Sequence, residues 1–167
     1  MSSIATSVFK KVAPKPAVIL PPGAIQGLSV WRYSGSWDKL PDFASLKPVS
    51  IEPRIQVGLD PATRGEHIGL VFDGFVNVAE TDMIQFSLLS DDGSCLWIDG
   101  QLCIDNDGLH SPTEKFGSVA LAKGWHRIKV GWFNATGGAE LSLRMGALGR
   151  PLKAIDPKKF FSVGSDD

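Results

Sequence analysis

The sequence predicts an all-β domain, a sandwich or a barrel, on three observations. Short apolar runs alternate with polar residues at a period of two, and no segment keeps a helical period for more than a turn or two. The runs are punctuated by 18 glycines and 11 prolines, the residues that end strands and build turns. Five tryptophans and nine phenylalanines suit half-buried pleated surfaces.

Each element follows from the same reading. Residues 1–26 read as a proline-rich leader, with Val12-Ala13-Pro14-Lys15-Pro16 and Pro21-Pro22-Gly23 in extended, polyproline-like form. The folded domain is expected over 27–161, with a short tail at 162–167. Leu28 to Tyr33 alternates and predicts a strand. Trp37 to Pro48 is loop-like, anchored by Leu40, Phe43 and Leu46, and a short strand is expected around Arg54-Ile55-Gln56-Val57. His67 to Val78 predicts a long strand with a bulge or kink at Asp73-Gly74. Met83 to Leu89 sets Ile84, Phe86 and Leu88 on one face. Cys95 to Ile98 and Gln101 to Ile104 form a hairpin about Asp99-Gly100. Ser118 to Leu121 is a short strand. Trp125 to Phe133 sets His126, Ile128, Val130 and Trp132 on its apolar face, and Leu141, Leu143 and Met145 alternate with polar neighbours.

Composition removes several function classes. The net charge of -1 offers no field for nucleic acid or anionic lipid. No apolar stretch is long enough to span a bilayer, and Met1 to Lys11 lacks the apolar core of a secretion signal. A two-residue turn at Asp99-Gly100 would set Cys95 opposite Ile104 and Leu96 opposite Cys103, so the two thiols would point to opposite faces and stay free. Neither C-x-x-C spacing nor a nearby histidine supports zinc. No G-x-S-x-G elbow, phosphate loop or H-E-x-x-H motif is present, and two sequence-adjacent carboxylates are poorly placed for glycoside hydrolysis. The chain is read as a non-enzyme.

The chemistry concentrates in Ser90-Asp91-Asp92-Gly93-Ser94-Cys95-Leu96-Trp97-Ile98-Asp99-Gly100. Two adjacent carboxylates at a strand end repel unless donors or a cation sit between them, and an all-oxygen cluster suits Ca²⁺. The plainer reading makes both acids solvated turn residues. A second acidic run, Asp105-Asn106-Asp107-Gly108 with Glu114, sets Asp105, Asp107 and Glu114 at EF-hand positions. Its first place is Cys103, however, and no helices flank it, so a turn network about Gly108 is the preferred reading. His110 is either a ligand contact beside Asp107 or a tie for a long loop. His126 reads as a core or interface histidine. Trp132 and Trp31 read as core, while Trp97 and Trp125 are open as sugar-stacking surfaces.

These pieces together resemble the protective-antigen (PA) fourteen-kilodalton domain family. The resemblance is carried by Phe72-Asp73-Gly74-Phe75-Val76, Phe86 to Gly100, Ile104 to His110, Gly117 to Val130, and Trp132 to Leu141, and spans roughly residues 27–161. It implies an antiparallel β-sandwich, jelly-roll-like and lectin-like. The segment Ser36 to Phe43, leading into Leu46 to Val49, is similar to modules attached to bacterial glycoside hydrolases of the β-hexosaminidase kind.

In adhesin members two adjacent aspartates, joined by a cis peptide, coordinate Ca²⁺ with an asparagine and two loop carbonyls. Sugar hydroxyls complete the shell. The resemblance therefore implies Asp91, Asp92 and Asn134 as metal and glycan contacts, with the carbonyls of Thr136 and Gly138, and Asp107 and His110 as further carbohydrate contacts. The loop Ala135-Thr136-Gly137-Gly138 departs from the adhesins in being short and lacking an aromatic. The implied function is a non-catalytic, Ca²⁺-dependent carbohydrate-binding module accessory to a glycoside hydrolase or a cell-surface protein. Its partners would be a glycan and a catalytic domain of the same parent, in an extracellular, periplasmic or cell-surface setting. The alternative is a structural module that packs on a catalytic domain and binds no sugar.

Overall fold

A computed structural model describes residues 12–164. Twelve strands follow in order: β1 (Ile25–Gln26), β2 (Leu28–Ser34), β3 (Ser50–Arg54), β4 (Ile68–Val78), β5 (Asp82–Asp91), β6 (Ser94–Ile98), β7 (Gln101–Asn106), β8 (Thr113–Leu121), β9 (Gly124–Asn134), β10 (Glu140–Ala147), β11 (Lys153–Ala154) and β12 (Phe160–Ser162). They form two antiparallel sheets. The larger runs β1-β12-β4-β9-β6-β7, with β2 also on β4 and β3 on β2, and the smaller runs β11-β10-β5-β8.

The sequence folds this way because its apolar alternation gives each sheet one oily face. Leu70, Phe72, Val76, Leu96, Ile98, Ile128, Val130 and Trp132 of the larger sheet meet Ile84, Phe86, Leu88, Leu141 and Leu143 of the smaller one in a single core. Phe86, Leu88, Leu96 and Trp132 have no exposed surface, and truncating a buried phenylalanine to alanine costs about 3–5 kcal/mol. Tyr33, Phe43 and Val71 make a second cluster on the outer face of the larger sheet, with Trp31, Trp37 and Leu40 packed on it. Trp31 therefore belongs to this outer cluster and not to the core between the sheets.

From β4 to β10 the chain switches sheets at five of its six connections, the β6–β7 hairpin being the exception. Register fixes where the connections lie. Ile68 pairs with Asn134, Ser94 with both Asn106 and Trp132, Asp91 with Glu140, and Ser90 with Thr113. The loops 59–67, 91–93, 107–112 and 135–139 therefore gather at one end of the sandwich. The Asp99-Gly100 turn closes the other end.

Several expectations shift. Of the leader read over 1–26, residues 1–11 lie outside the described part, as do 165–167 of the tail. From Lys15 the segment lies on the sandwich: the Lys15 amide donates to Ala120 O, the Ala122 amide to Lys15 O and the Val18 amide to Trp125 O, and β1 pairs with β12. These residues satisfy backbone groups that β8 and β9 would otherwise expose. The β4–β9 ladder runs without a bulge at Asp73-Gly74. Gly74 instead sits where β2 gives way to β12, and a Cβ there would stand 2.6 Å from Phe161 O and 2.8 Å from Leu28 Cδ2. The short strand read at 54–57 is β3, four residues earlier, because Ser50–Arg54 finds β2 as its partner. β8 starts at Thr113 rather than Ser118; its first half is polar and is held by pairing with β5.

The hairpin turn is as expected, but the register slips between Leu96 and Trp97, so Leu96 faces Ile104 and Cys95 faces Asp105. Cys103 is the extra residue and packs against the main core. Both thiols are free. Burial, with Asp105 alongside, pushes Cys95 up to about 12, which leaves it a packing residue.

Candidate functional site

β5 ends at Asp91 and β6 begins at Ser94, so the chain leaves the small sheet and enters the large one through Asp92 and Gly93 alone. The Asp91–Asp92 peptide is cis. Only glycine fits next: a Cβ on Gly93 would lie 2.6 Å from the Phe133 ring, 2.7 Å from Asp107 Oδ1 and 2.7 Å from Gly108 N. The Trp132 indole N–H, rising from the core, donates to Asp91 O at 3.1 Å and fixes the corner from below.

The two carboxylates have unlike surroundings. Asp92 is buried, with Oδ2 accepting the Ala135 amide at 3.0 Å and Oδ1 the His110 amide at 3.2 Å. Among the described residues no N–H or O–H donor reaches the Asp91 carboxylate. Burial, and then the charge of Asp92, push Asp91 above the usual carboxylate range. An acid in that position carries charge more readily once a cation is beside it.

Asn134, at the end of β9, is fully buried. Its Nδ2 donates to Gly65 O at 2.7 Å and Gly137 O at 3.3 Å. Its Oδ1 is buried and has no partner. A buried amide oxygen left bare asks for an ion or a water. The loop that follows leans over the acid pair, and a Cβ on Gly138 would stand 3.8 Å from Asp91 Oδ2. No donor from the described residues takes the carbonyls of Thr136 or Gly138. Asp91, Asp92, Asn134 and the 135–138 loop thus share one end of the fold, while Thr136 is exposed. Among the described residues no three of His, Cys, Asp and Glu converge. Beyond the two carboxylates, the oxygen donors on offer are a carboxamide and carbonyls. That set suits a hard cation such as Ca²⁺.

Asp107 and His110 sit close by but serve the loops. Asp107 Oδ1 accepts the amides of Leu40 at 2.9 Å and Gly108 at 2.8 Å, and Asp105 Oδ1 accepts the Asp107 amide. This is the turn network about Gly108, and Glu114 turns away to pair with Arg144. The His110 ring nitrogens lie 2.8 Å from Ser111 O and 2.8 Å from Asn106 O, so its side chain ties the loop down and its amide holds Asp92. His126 is fully buried at the other end, between Asp99 Oδ2 and Ala122 O. Lys129 Nζ lies over the half-buried Trp97 ring, and Trp125 packs edge-on to Phe161.

Sequence reasoning missed the loop 59–67, whose Gly65 carbonyl grips Asn134. The one signal there was Asp60-Pro61-Ala62-Thr63, a turn-initiating pattern.

A family model described as PA14 domain matches residues 41–158. No curated protein sequence matches the chain. Among solved structures, the fold is similar to the PA14 domain of the MpAFP antifreeze protein, with a TM-score of 0.74 and 16% identity over 89% of this chain and 96% of that one. It is similar to a PA14 sugar-binding domain from an RTX adhesin, with a TM-score of 0.70 and 13% identity over 84% and 99%. It is also similar to the Epithelial Adhesin 9 A domain from Candida glabrata, solved in complex with Galb1-4GlcNAc, with a TM-score of 0.68 and 13% identity over 90% and 96%.

Proposed function

The chain belongs to the PA14 domain family, and from that premise we propose that it is a non-catalytic, Ca²⁺-dependent carbohydrate-binding module. The observation that carries this reading is the bare, buried Oδ1 of Asn134, on the same loop cluster as an acid pair in which Asp91 has no donor. Asp91, Asp92 and the Asn134 carboxamide would hold the ion, with the carbonyls of Thr136 and Gly138. Bound Ca²⁺ supplies open coordination positions that neighbouring sugar hydroxyls can fill, because it accepts six to eight oxygens in loose geometry. The chain's own part is to hold the oxygens in place. The Ala135 and His110 amides fix Asp92, Gly65 orients the carboxamide, and the Trp132 indole fixes the corner. Two adhesin-derived domains of the same fold support the sugar-binding side of the proposal by what they are described as binding. In this reading the module keeps a glycoside hydrolase, or a cell surface, close to glycan outside the cytoplasm.

The test is Ca²⁺ and glycan binding by the double variant Asp91→Ala/Asp92→Ala, which should lose both. Binding of glycan to the variant as strong as to the wild type would overturn the proposal.

A second reading rests on the loop 135–138, which has no aromatic to stack on a sugar ring. In it the domain packs against a catalytic partner and binds no sugar. Ca²⁺ binding with no response across a glycan panel would favour it.

A further inference from the structure

Building on the Ca²⁺ site proposed above, we propose that Glu66 is a positioning residue for that site, acting through the Gly137 amide. The loop between β3 and β4 is built to be rigid. Asp60 Oδ1 accepts both the Thr63 amide and the Thr63 hydroxyl at 2.9 Å, and the Asp60 amide donates to Thr63 Oγ1 at 2.8 Å. Thr63 is 2% exposed. Arg54, at the end of β3, reaches Asp60 Oδ2 at 2.7 Å. Burial alone would raise Asp60, but the Thr63 hydrogen bonds and the Arg54 guanidinium outweigh it and hold the carboxyl low. The loop's far end is pinned by His67, which takes a left-handed conformation at φ 55.

From this rigid base four contacts reach the end of β9 and the loop after it. Gly65 O accepts Asn134 Nδ2 at 2.7 Å, Glu66 Oε1 accepts the Gly137 amide at 3.2 Å, the His67 amide donates to Ala135 O at 3.0 Å, and Arg64 Nη1 donates to Ala139 O at 3.1 Å. Three of the four use backbone on the 59–67 side or reach the loop's outer end. Glu66 is the side chain that grips its middle, between the two residues whose carbonyls are offered to the ion. Gly137 is left-handed at φ 82 and has open space about its Cα, so packing does not hold it. The Gly137 N–H shares its peptide plane with the Thr136 carbonyl, so the Glu66 hydrogen bond sets the direction of Thr136 O, while Asn134 Nδ2 holds Gly137 O on the other side. A group of this kind, bonded to ligands and not to the metal, changes metal affinity by about 10–100-fold when removed.

The experiment is calorimetric Ca²⁺ titration of chelator-stripped wild type, Glu66→Ala and Glu66→Gln, with amide hydrogen exchange at Gly137 on the same metal-free samples. Glu66→Ala should weaken Ca²⁺ about 10-fold and speed exchange at Gly137 while leaving β9 amides unchanged. Glu66→Gln keeps an acceptor oxygen and should retain affinity within about 3-fold. Equal losses in both variants would mean that Glu66 acts through its charge, and would overturn positioning. Unchanged affinity and exchange in Glu66→Ala would overturn it too. A wild type that binds no Ca²⁺ overturns both this inference and the function beneath it, whereas a binding wild type with an indifferent Glu66→Ala overturns this inference alone.

Discussion

The strand β6 has an aspartate at each end, and the two ends differ in one respect. At the hairpin end, Asp99 has every need met: Oδ2 lies 2.7 Å from His126 Nδ1 and Oδ1 accepts the Arg127 amide at 2.9 Å. At the crossover end, Asp92 is likewise held by two amides, but its neighbour Asp91 has no donor and Asn134 Oδ1 has none either. The first arrangement is closed and structural. The second leaves the Asp91 carboxylate and the Asn134 amide oxygen without donors at the same end of the fold, which costs the apo protein stability unless something positive joins them. What separates Asp91 from Asp92 and Asp99 is the count of partners, not residue type, since both of the others, each followed by Gly, have partners on both carboxylate oxygens.

The comparison can be broken at its closed end first. Asp99→Ala would leave the buried His126 Nδ1 and the Arg127 amide without an acceptor. It should destabilise the fold by about 2–3 kcal/mol in urea unfolding and leave Ca²⁺ titration unchanged. Asp92→Ala comes next. It frees the Ala135 and His110 amides near the surface, and should cost about 1–2 kcal/mol and abolish Ca²⁺ binding.

Asp91→Asn should behave differently again. The proton on Asp91 is held more tightly folded than unfolded, so this group's contribution to the stability of chelated wild type is full below the ordinary carboxylate range and is lost as pH rises through the raised folded value. Asp91→Asn should remove this slope, raise the melting temperature of chelated protein slightly at neutral pH, and still lose Ca²⁺. A fall in apo stability would show that Asp91 has partners after all. The smallest effect is expected at Asp107→Asn, which keeps Oδ1 for the Leu40 and Gly108 amides. Stability should move by no more than about 0.5 kcal/mol with Ca²⁺ affinity intact, and a marked loss of affinity would place Asp107 in the site.

Where alternation was clean the strands were legible, as in β5 and β9, because one buried face imposes a period of two. The first half of β8 was not, since Thr113 to Gly117 is mostly polar and exists as a strand through β5 alone. Gly74 read as a bulge because a glycine within a strand signals either a bulge or a close approach, and only the handover from β2 to β12 decides between them. The register slip at Leu96/Trp97 likewise leaves no mark in composition. Asp91, Asp92 and Asn134 enter the candidate site through motif and resemblance. The Asn134 carboxamide is gripped by Gly65, 69 residues away, and Glu66 meets Gly137 across 71. Contacts at such separations have no local pattern to betray them.

The most direct test of the central claim is calorimetric titration of chelator-stripped wild-type protein with Ca²⁺, paired with melting temperature in Ca²⁺ and in chelator. The account predicts saturable binding between micromolar and low millimolar strength and a higher melting temperature with the ion, by linkage. No binding heat and identical melting temperatures would contradict it.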